Sequence, residues 1–331
     1  MRITLLSLFF CIYNSLSAQL VPNLGGQRAG ISAMTFLKMD VSPRSTGMGG
    51  ANNCLSGDAY SAFTNVATMA EVTDFSIGLA NTFWAAGINH AALGVVKPTK
   101  IGNFGVSMAY LSSGAMPVRT EFQPDGTGQY FYASSYSVGV NYAKKLTEAF
   151  SYGLSLKMVR EQLAQMNTTT PTIDLGFLYR TDYKDLSFAV NIQNFGFNSK
   201  LKGVWDIDST FYNKPANIDN YPPPTVFQLG VSMIPFKTES QSLTVAVQLN
   251  HPNDNAENIR LGVEYAYKSL LFARVGYKIN VKDAPYPTLG MGLRMRMGKH
   301  PLRFDYAFEP TRYLGMMHKV GLALAINREV R

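Results

Sequence analysis

Three glycines within four residues follow a proline and an arginine in Asp40-Val-Ser-Pro-Arg-Ser-Thr-Gly-Met-Gly-Gly50. A glycine-rich loop can cradle phosphate with its backbone N–H groups, but the dinucleotide fingerprint needs G-x-G-x-x-G between a strand and a helix. Here Asn52 stands at the sixth position, and Pro43 and Arg44 precede the run in place of an apolar strand. The G-x-x-x-x-G-K-[ST] pattern is absent as well. The other reading is mechanical. Glycine permits tight turns and close backbone approach, so Pro43, Arg44, Gly47, Gly49 and Gly50 are expected to form a turn packed against a wall.

Other chemistry is sparse. His90, His251, His300 and His318 are scattered, with no pair at metal-ligand spacing. His251 with Asp254 and Glu257 is the one group that could touch a cation, against the simpler reading of a solvated loop. No serine sits in a G-x-S-x-G setting. No cofactor, metal or catalytic constellation is expected, and the chain reads as non-enzymatic.

Charge offers more. Lys157, Arg180, Arg260, Arg274, Lys278, Arg294, Arg296, Arg303 and Lys319 fall on one face of alternating segments, with Asp174, Glu264, Asp305 and Glu309 against them. Most of the positives lie near the C-terminus, so one wall is expected to be basic, with Arg260, Arg274, Arg294, Arg296 and Arg303 at its centre. Two readings stay open. The wall could pair with acids from upstream, such as Asp40, Asp58 and Glu71. It could also attract an anionic segment or solute.

The elements that hold these residues are strands. From Thr73 onward the pattern has period two: Tyr152, Leu154, Leu156 and Met158 point one way, Gly153, Ser155 and Lys157 the other. Fourteen such segments start near residues 73, 87, 102, 129, 148, 171, 184, 222, 240, 257, 270, 286, 300 and 316. Most run about ten to twelve residues, longer than the soluble average of about five or six and long enough for a tilted membrane strand of about nine to eleven. Short polar connections, such as Lys97–Ile101 and Gly298–His300, alternate with longer ones, such as Ser112–Gly128, Gln162–Thr170 and Gly196–Tyr221. The tight Trp84–Gly87 hairpin is the exception. Short periplasmic turns against longer external loops are the outer-membrane rule. The expected fold is an all-β, 14-stranded antiparallel transmembrane barrel over residues 73–331.

Composition agrees. The chain of 331 residues is 46% hydrophobic and 16% charged, where soluble domains carry about 25% charge. Met1-Arg2, the apolar run Ile3–Tyr13 and a small-residue site near Ala18 read as a signal peptide over residues 1–18. Removing it takes Arg2 and Cys11, lowering net charge from +8 to +7 and leaving one of two cysteines, Cys54. Intramolecular disulfides are then excluded, and export argues against nucleic acid as the partner of the basic charge. Residues 19–72 lack the period-two pattern, and Ala59–Met69 could be a short helix. A fourteen-strand barrel has a lumen that needs filling, so residues 19–72 are expected to be a luminal plug. On the outside, Phe122, Trp205, Phe211, Tyr212 and Tyr221 are loop aromatics that could anchor a partner or fold over the mouth.

The run Ala33 to Ala51, followed by Asp58 to Asn65, resembles the start of the PorV/PorQ family, outer-membrane components of the type IX secretion system in Bacteroidota related to FadL-type barrels. Phe36-Leu37, Arg44, Gly47-Met-Gly-Gly-Ala51 and Asp58-Ala59 match the family pattern. Its W-N-P-A element departs here to Phe63-Thr-Asn-Val-Ala67, which keeps Asn and Ala. The resemblance implies a FadL-like barrel in the outer membrane of a Gram-negative, Bacteroidota-like bacterium. Its partners would be the translocon and cargo proteins carrying a C-terminal signal domain, bound through external loops, with outer-membrane lipid around the wall. The competing expectation is a FadL-like transporter of hydrophobic or amphipathic anionic small molecules.

Overall fold

The computed structural model describes residues 30–55, 57–203 and 219–326; the expected signal peptide and the aromatics Trp205, Phe211 and Tyr212 lie outside them. Fourteen strands run in chain order: β1 (Phe75–Phe83), β2 (Asn89–Thr99), β3 (Gly102–Pro117), β4 (Tyr130–Lys145), β5 (Phe150–Leu163), β6 (Met166–Arg180), β7 (Ser187–Gly196), β8 (Val226–Lys237), β9 (Gln241–Pro252), β10 (Asn258–Tyr267), β11 (Leu271–Ile279), β12 (Thr288–Met297), β13 (His300–Pro310) and β14 (Met316–Ile326). Each pairs with its sequence neighbour, and β1 closes on β14 from Phe75↔Ile326 to Phe83↔His318. The result is a closed antiparallel barrel with no free sheet edge.

Burial alternates along the strands, and its sense is inverted relative to a soluble protein. On β5 the outward Leu156 and Met158 are 55% and 50% exposed, while inward Ser155 is fully buried. A continuous apolar exterior of this kind is a liability in water and matches lipid in a membrane barrel. The core is the lumen.

One expectation needs correcting. Gln162–Thr170 is not a long loop: β5 and β6 join through Ala164 and Gln165 alone, with Ala164 at φ 53°. The polar run Asn167-Thr-Thr-Thr170 carries no apolar alternation because it projects beyond the lipid. Its β-branched threonines still favour extended backbone. β3, β4 and β6 reach 15 or 16 residues, so their hairpins overshoot on the long-loop side, which is external by the outer-membrane rule.

Residues 34–72 pack inside the barrel. A 3-10 turn (Thr35–Lys38) leads to a short helix, α1 (Pro43–Gly47), then to 3-10 turns at Ala59–Phe63 and Val66–Glu71. Local chemistry starts each one. Ser42 caps α1 by accepting from Ser45 N, with Pro43 at the first helical position. Asp58 and Asn65 cap the next two by accepting from Tyr60 N and Ala67 N. Asn103 on β3 donates to the Met69 and Val72 carbonyls at 2.7 and 2.8 Å, tying the end of the segment to the wall before β1 begins.

Candidate functional site: the plug, its ion networks and the outer cavity

The glycine run is helix followed by left-handed backbone, rather than a simple turn. Pro43 to Gly47 form α1, and Gly49 and Gly50 then sit at φ 66° and 82°. The expected close approach is present. A Cβ on Gly47 would lie 2.9 Å from the Cα of Gly290 on β12, so two glycines let plug and wall backbones touch. Gly49 N donates to Thr288 Oγ1 at 3.0 Å. A Cβ on Gly50 would meet the Arg260 guanidinium and come within 2.9 Å of Asp40 Oδ2.

Two ion networks join this segment to β10–β14. In the periplasmic half, Arg44 grips Glu264 with both Nε (2.9 Å) and NH2 (2.6 Å), a bidentate pair. Arg274 bonds Glu264 at 2.6 Å and Asp305 at 2.7 Å. Arg303 bonds Asp305 at 2.6 Å and also the plug carboxylate Asp58. Three cations meet three carboxylates. Burial alone would push the Asp58 carboxyl up, but Arg303 and Arg44 outweigh it and hold it below the usual carboxylate range.

The external network is built differently. Asp40 accepts from the Ser45 hydroxyl at 3.1 Å. It lies 3.6 Å from Arg260 and 4.0 Å from Lys278. Lys278 bonds Glu309, and Lys319 lies 3.8 Å from Glu309 while donating to the Asp40 carbonyl at 2.8 Å. Among the described residues, three cations share two carboxylates. Burial raises the Asp40 carboxyl, and Arg260, Lys278 and Lys319 together pull it below its ordinary value.

The expected basic wall therefore divides. Arg274 and Arg303 are buried and matched, and Arg260 is loosely held. Arg294 is exposed near the periplasmic end, its guanidinium 5.3 Å over the Phe272 ring, and Arg296 is exposed one step beyond. Elsewhere Lys157 pairs with Asp174 at 2.8 Å and Arg180 with Glu71 at 2.8 Å. The His251 group does not converge: Asp254 binds Lys38 at 2.5 Å, and His251 meets Glu257 at 2.7 Å. Phe122 is 94% exposed at the tip of the β3–β4 loop. Tyr221 is half-buried, and its backbone pairs with Ser199.

Two plug residues have structural roles that the sequence does not reveal. The Tyr60 hydroxyl lies 2.6 Å from the Leu79 carbonyl on β1 and 2.9 Å from that of Leu322 on β14, across the seam that closes the barrel. Asn65, fully buried, donates to the Asn53 and Phe177 carbonyls while capping its own turn. Its place in the degraded W-N-P-A element was the one available signal.

Two concavities open outward. One, of about 490 Å³, lies in the lumen mouth between the plug (Leu37–Val41, Asn52, Phe63, Thr64) and β7–β11, with Asn255, Lys282 and Tyr313 at its rim. Its lining mixes carboxamides from the strands with apolar residues such as Leu37, Met39 and Phe63 from the plug, together with Arg260 and Lys278. The other, of about 790 Å³, is an apolar groove on the outer hairpins, with Met116, Tyr130, Phe131, Leu163 and Met166 among its walls.

No protein-family model and no curated protein sequence matches this chain. Solved structures do resemble it. The toluene transporter TbuX of Ralstonia pickettii superposes with a TM-score of 0.55 at 12% identity, over 87% of this chain and 98% of its own. The toluene transporter TodX of Pseudomonas putida gives 0.56 at 12% identity, over 86% and 96%. A FadL homologue of Pseudomonas aeruginosa gives 0.51 at 10% identity, over 91% and 98%. The fold is that of the FadL-like outer-membrane barrels, fourteen antiparallel strands closed around a lumen.

Proposed function

We propose that this chain is an outer-membrane uptake barrel for an amphipathic or anionic small molecule, with residues 30–72 as the element that controls passage. The carrying observation is the outward cavity of about 490 Å³, which lies between plug and wall. Beneath it the plug is packed against the strands. A ligand can enter from outside and can pass only if the plug yields. The transporter descriptions of TbuX and TodX support this reading. Uptake of radiolabelled decanoate and D-glucuronate by cells with and without the barrel tests it. Barrel-dependent uptake of at least one anion is expected; equal uptake of both in the two strains overturns it.

A second reading has its own observation. The Phe36-Leu37, Arg44 and Gly47–Ala51 elements resemble PorV/PorQ proteins, and Arg44 and the glycines cement the plug instead of leaving it loose. On this reading the barrel, exported by cleavage near Ala18 in a Bacteroidota-like bacterium, docks translocon or cargo through external residues such as Phe122. Purification from native membrane under mild detergent decides it. Recovery of a large translocon or of a protein with a C-terminal signal domain supports the reading, and recovery of the barrel alone counts against it.

A further inference from the structure

We infer that the outward cavity is a binding site for a hydroxylated organic anion about the size of an acidic monosaccharide. This deepens the uptake reading and rests on it for the fate of the ligand, though not for its binding.

The first argument is the lining. Two runs of carboxamides cross the cavity wall. In one, Gln248 meets Asn250 at 2.7 Å, Asn250 meets Asn258 at 3.0 Å, and Asn258 accepts from Arg260 at 3.3 Å. The plug orients this run, since the backbone N–H groups of Asn52 and Asn53 both donate to Gln248 Oε1. In the other, Asn191 donates to Gln228 at 3.0 Å and Gln228 to Gln193 at 3.3 Å, while Gln193 also donates to the Phe63 carbonyl. Each amide offers two N–H donors and an oxygen with two lone pairs, and these contacts use only part of that capacity. Amides already locked by neighbours bind a ligand without losing rotamer freedom. Fixed donors and acceptors side by side suit hydroxyl groups, which are both.

The second argument is charge. The external network sets Arg260, Lys278 and Lys319 against Asp40 and Glu309 alone. Arg260 keeps its carboxylate at 3.6 Å, beyond hydrogen-bond distance, and donates instead to neutral amide oxygens of Asn250 and Asn258 beside the cavity. A part-buried surplus cation is costly without a counter-charge, and a ligand carboxylate would supply one. Of the other charges around the cavity, Lys282 and Asp283 are opposite in sign and Lys38 is bonded to Asp254 at 2.5 Å, so the surplus stays in place.

The third argument is exclusion. A hydrocarbon in this cavity would use none of the spare amide capacity and would leave the Arg260 charge unmet. A neutral sugar would meet the amides but leave the charge. The volume, about 490 Å³, falls in the range of small-molecule sites.

The test uses the full barrel in nanodiscs and titration calorimetry with D-glucuronate, D-glucose and decanoate as probes. D-Glucuronate is expected to bind about tenfold tighter than either comparator, the scale of one good charged hydrogen bond. Arg260→Gln is expected to remove the preference for glucuronate over glucose, and Asn258→Ala to weaken both sugars. Should Arg260→Gln fail to fold, loss of the preference in high salt on the wild-type barrel gives the same readout. No glucuronate binding, equal binding of glucose, or tighter binding of decanoate overturns the inference. The two proposals fail separately. Glucuronate binding without barrel-dependent uptake retires transport and keeps the site; barrel-dependent decanoate uptake without glucuronate binding does the reverse.

Discussion

The two ion networks sit on the same wall, use the same kinds of side chain, and are built to different balances. The periplasmic one matches three cations with three carboxylates, at 2.6–2.9 Å for Glu264 and Asp305, and buries Arg274 and Asp305 almost completely. The external one matches three cations with two carboxylates, with Arg260 and Lys278 both 3.6 Å or more from Asp40. A network whose bonded charges balance and whose spare donor, Arg274 NH2, is buried serves as cement. An open network facing a cavity keeps unspent charge. The difference separates the part of the plug that holds from the part that faces traffic.

The comparison can be broken at the cement. Glu264→Ala would leave Arg44 without its bidentate partner and Arg274 with one carboxylate in place of two, a loss of about 3–5 kcal/mol for a broken buried pair. The expected outcome is a large drop in the urea midpoint of the folded barrel, followed by heat-modifiable gel mobility. Gly47→Ala comes next: its methyl carbon would lie 2.9 Å from Gly290 Cα, and overpacking of this kind costs about 1–3 kcal/mol. The same assay should show it as a smaller shift. Asp40→Asn acts on the open network and should destabilise less than Glu264→Ala while tightening glucuronate binding, because it increases the positive surplus. Equal losses from Asp40→Asn and Glu264→Ala would erase the distinction drawn between the networks.

Acid probes both networks together. Asp40 and Asp58 are held below their ordinary value of 3.8, so the stability they lend is present above that value and is lost as pH falls through their folded values. Cys54 reports on docking, since its thiol is buried and burial pushes it up to about 12. A dithiodipyridine reagent, which reacts in acid, should label Cys54 slowly at pH 7 and at pH 5, and quickly only below the ordinary carboxylate range. Fast labelling at pH 5 would mean that the plug is not held by these carboxylates. The smallest effect belongs to Phe122→Ala. At 94% exposure it should move stability by less than about 0.5 kcal/mol, while lowering recovery of any protein partner if the secretion reading holds.

The strands were legible because lipid outside and polar lumen inside impose period two on every spanning residue. The signal vanished where the wall left the membrane, which is why Asn167–Thr170 reads as loop and is strand. The glycine run announced close approach, but a five-residue helix begun by Ser42 and Pro43 is too short to show a 3.6 period. Acids and bases could be assigned to plug and wall, yet their pairing could not. Whether Asp58 meets Arg303 or Arg260 depends on the depth of each residue in the lumen, which is a property of barrel register. The amide-lined cavity was invisible for the same reason: Asn250, Asn258 and Gln193 are ordinary inward strand residues until the β7–β8 and β9–β10 hairpins bring them together. Tyr60 could not be read at all, because its two acceptors exist only where the first strand meets the last.

That last contact sets an order of events. Leu322 lies 262 residues downstream of Tyr60, so the hydroxyl has its second acceptor only after the final hairpin has zipped onto β1. Contacts of such long range form late, after the loop entropy between their ends has been overcome. The plug segment comes first in the chain and completes its docking last. A chain that stops short of β14 therefore carries its own marker of failure, an N-terminal segment with no seam to grip, open to periplasmic proteases in a way the finished barrel is not.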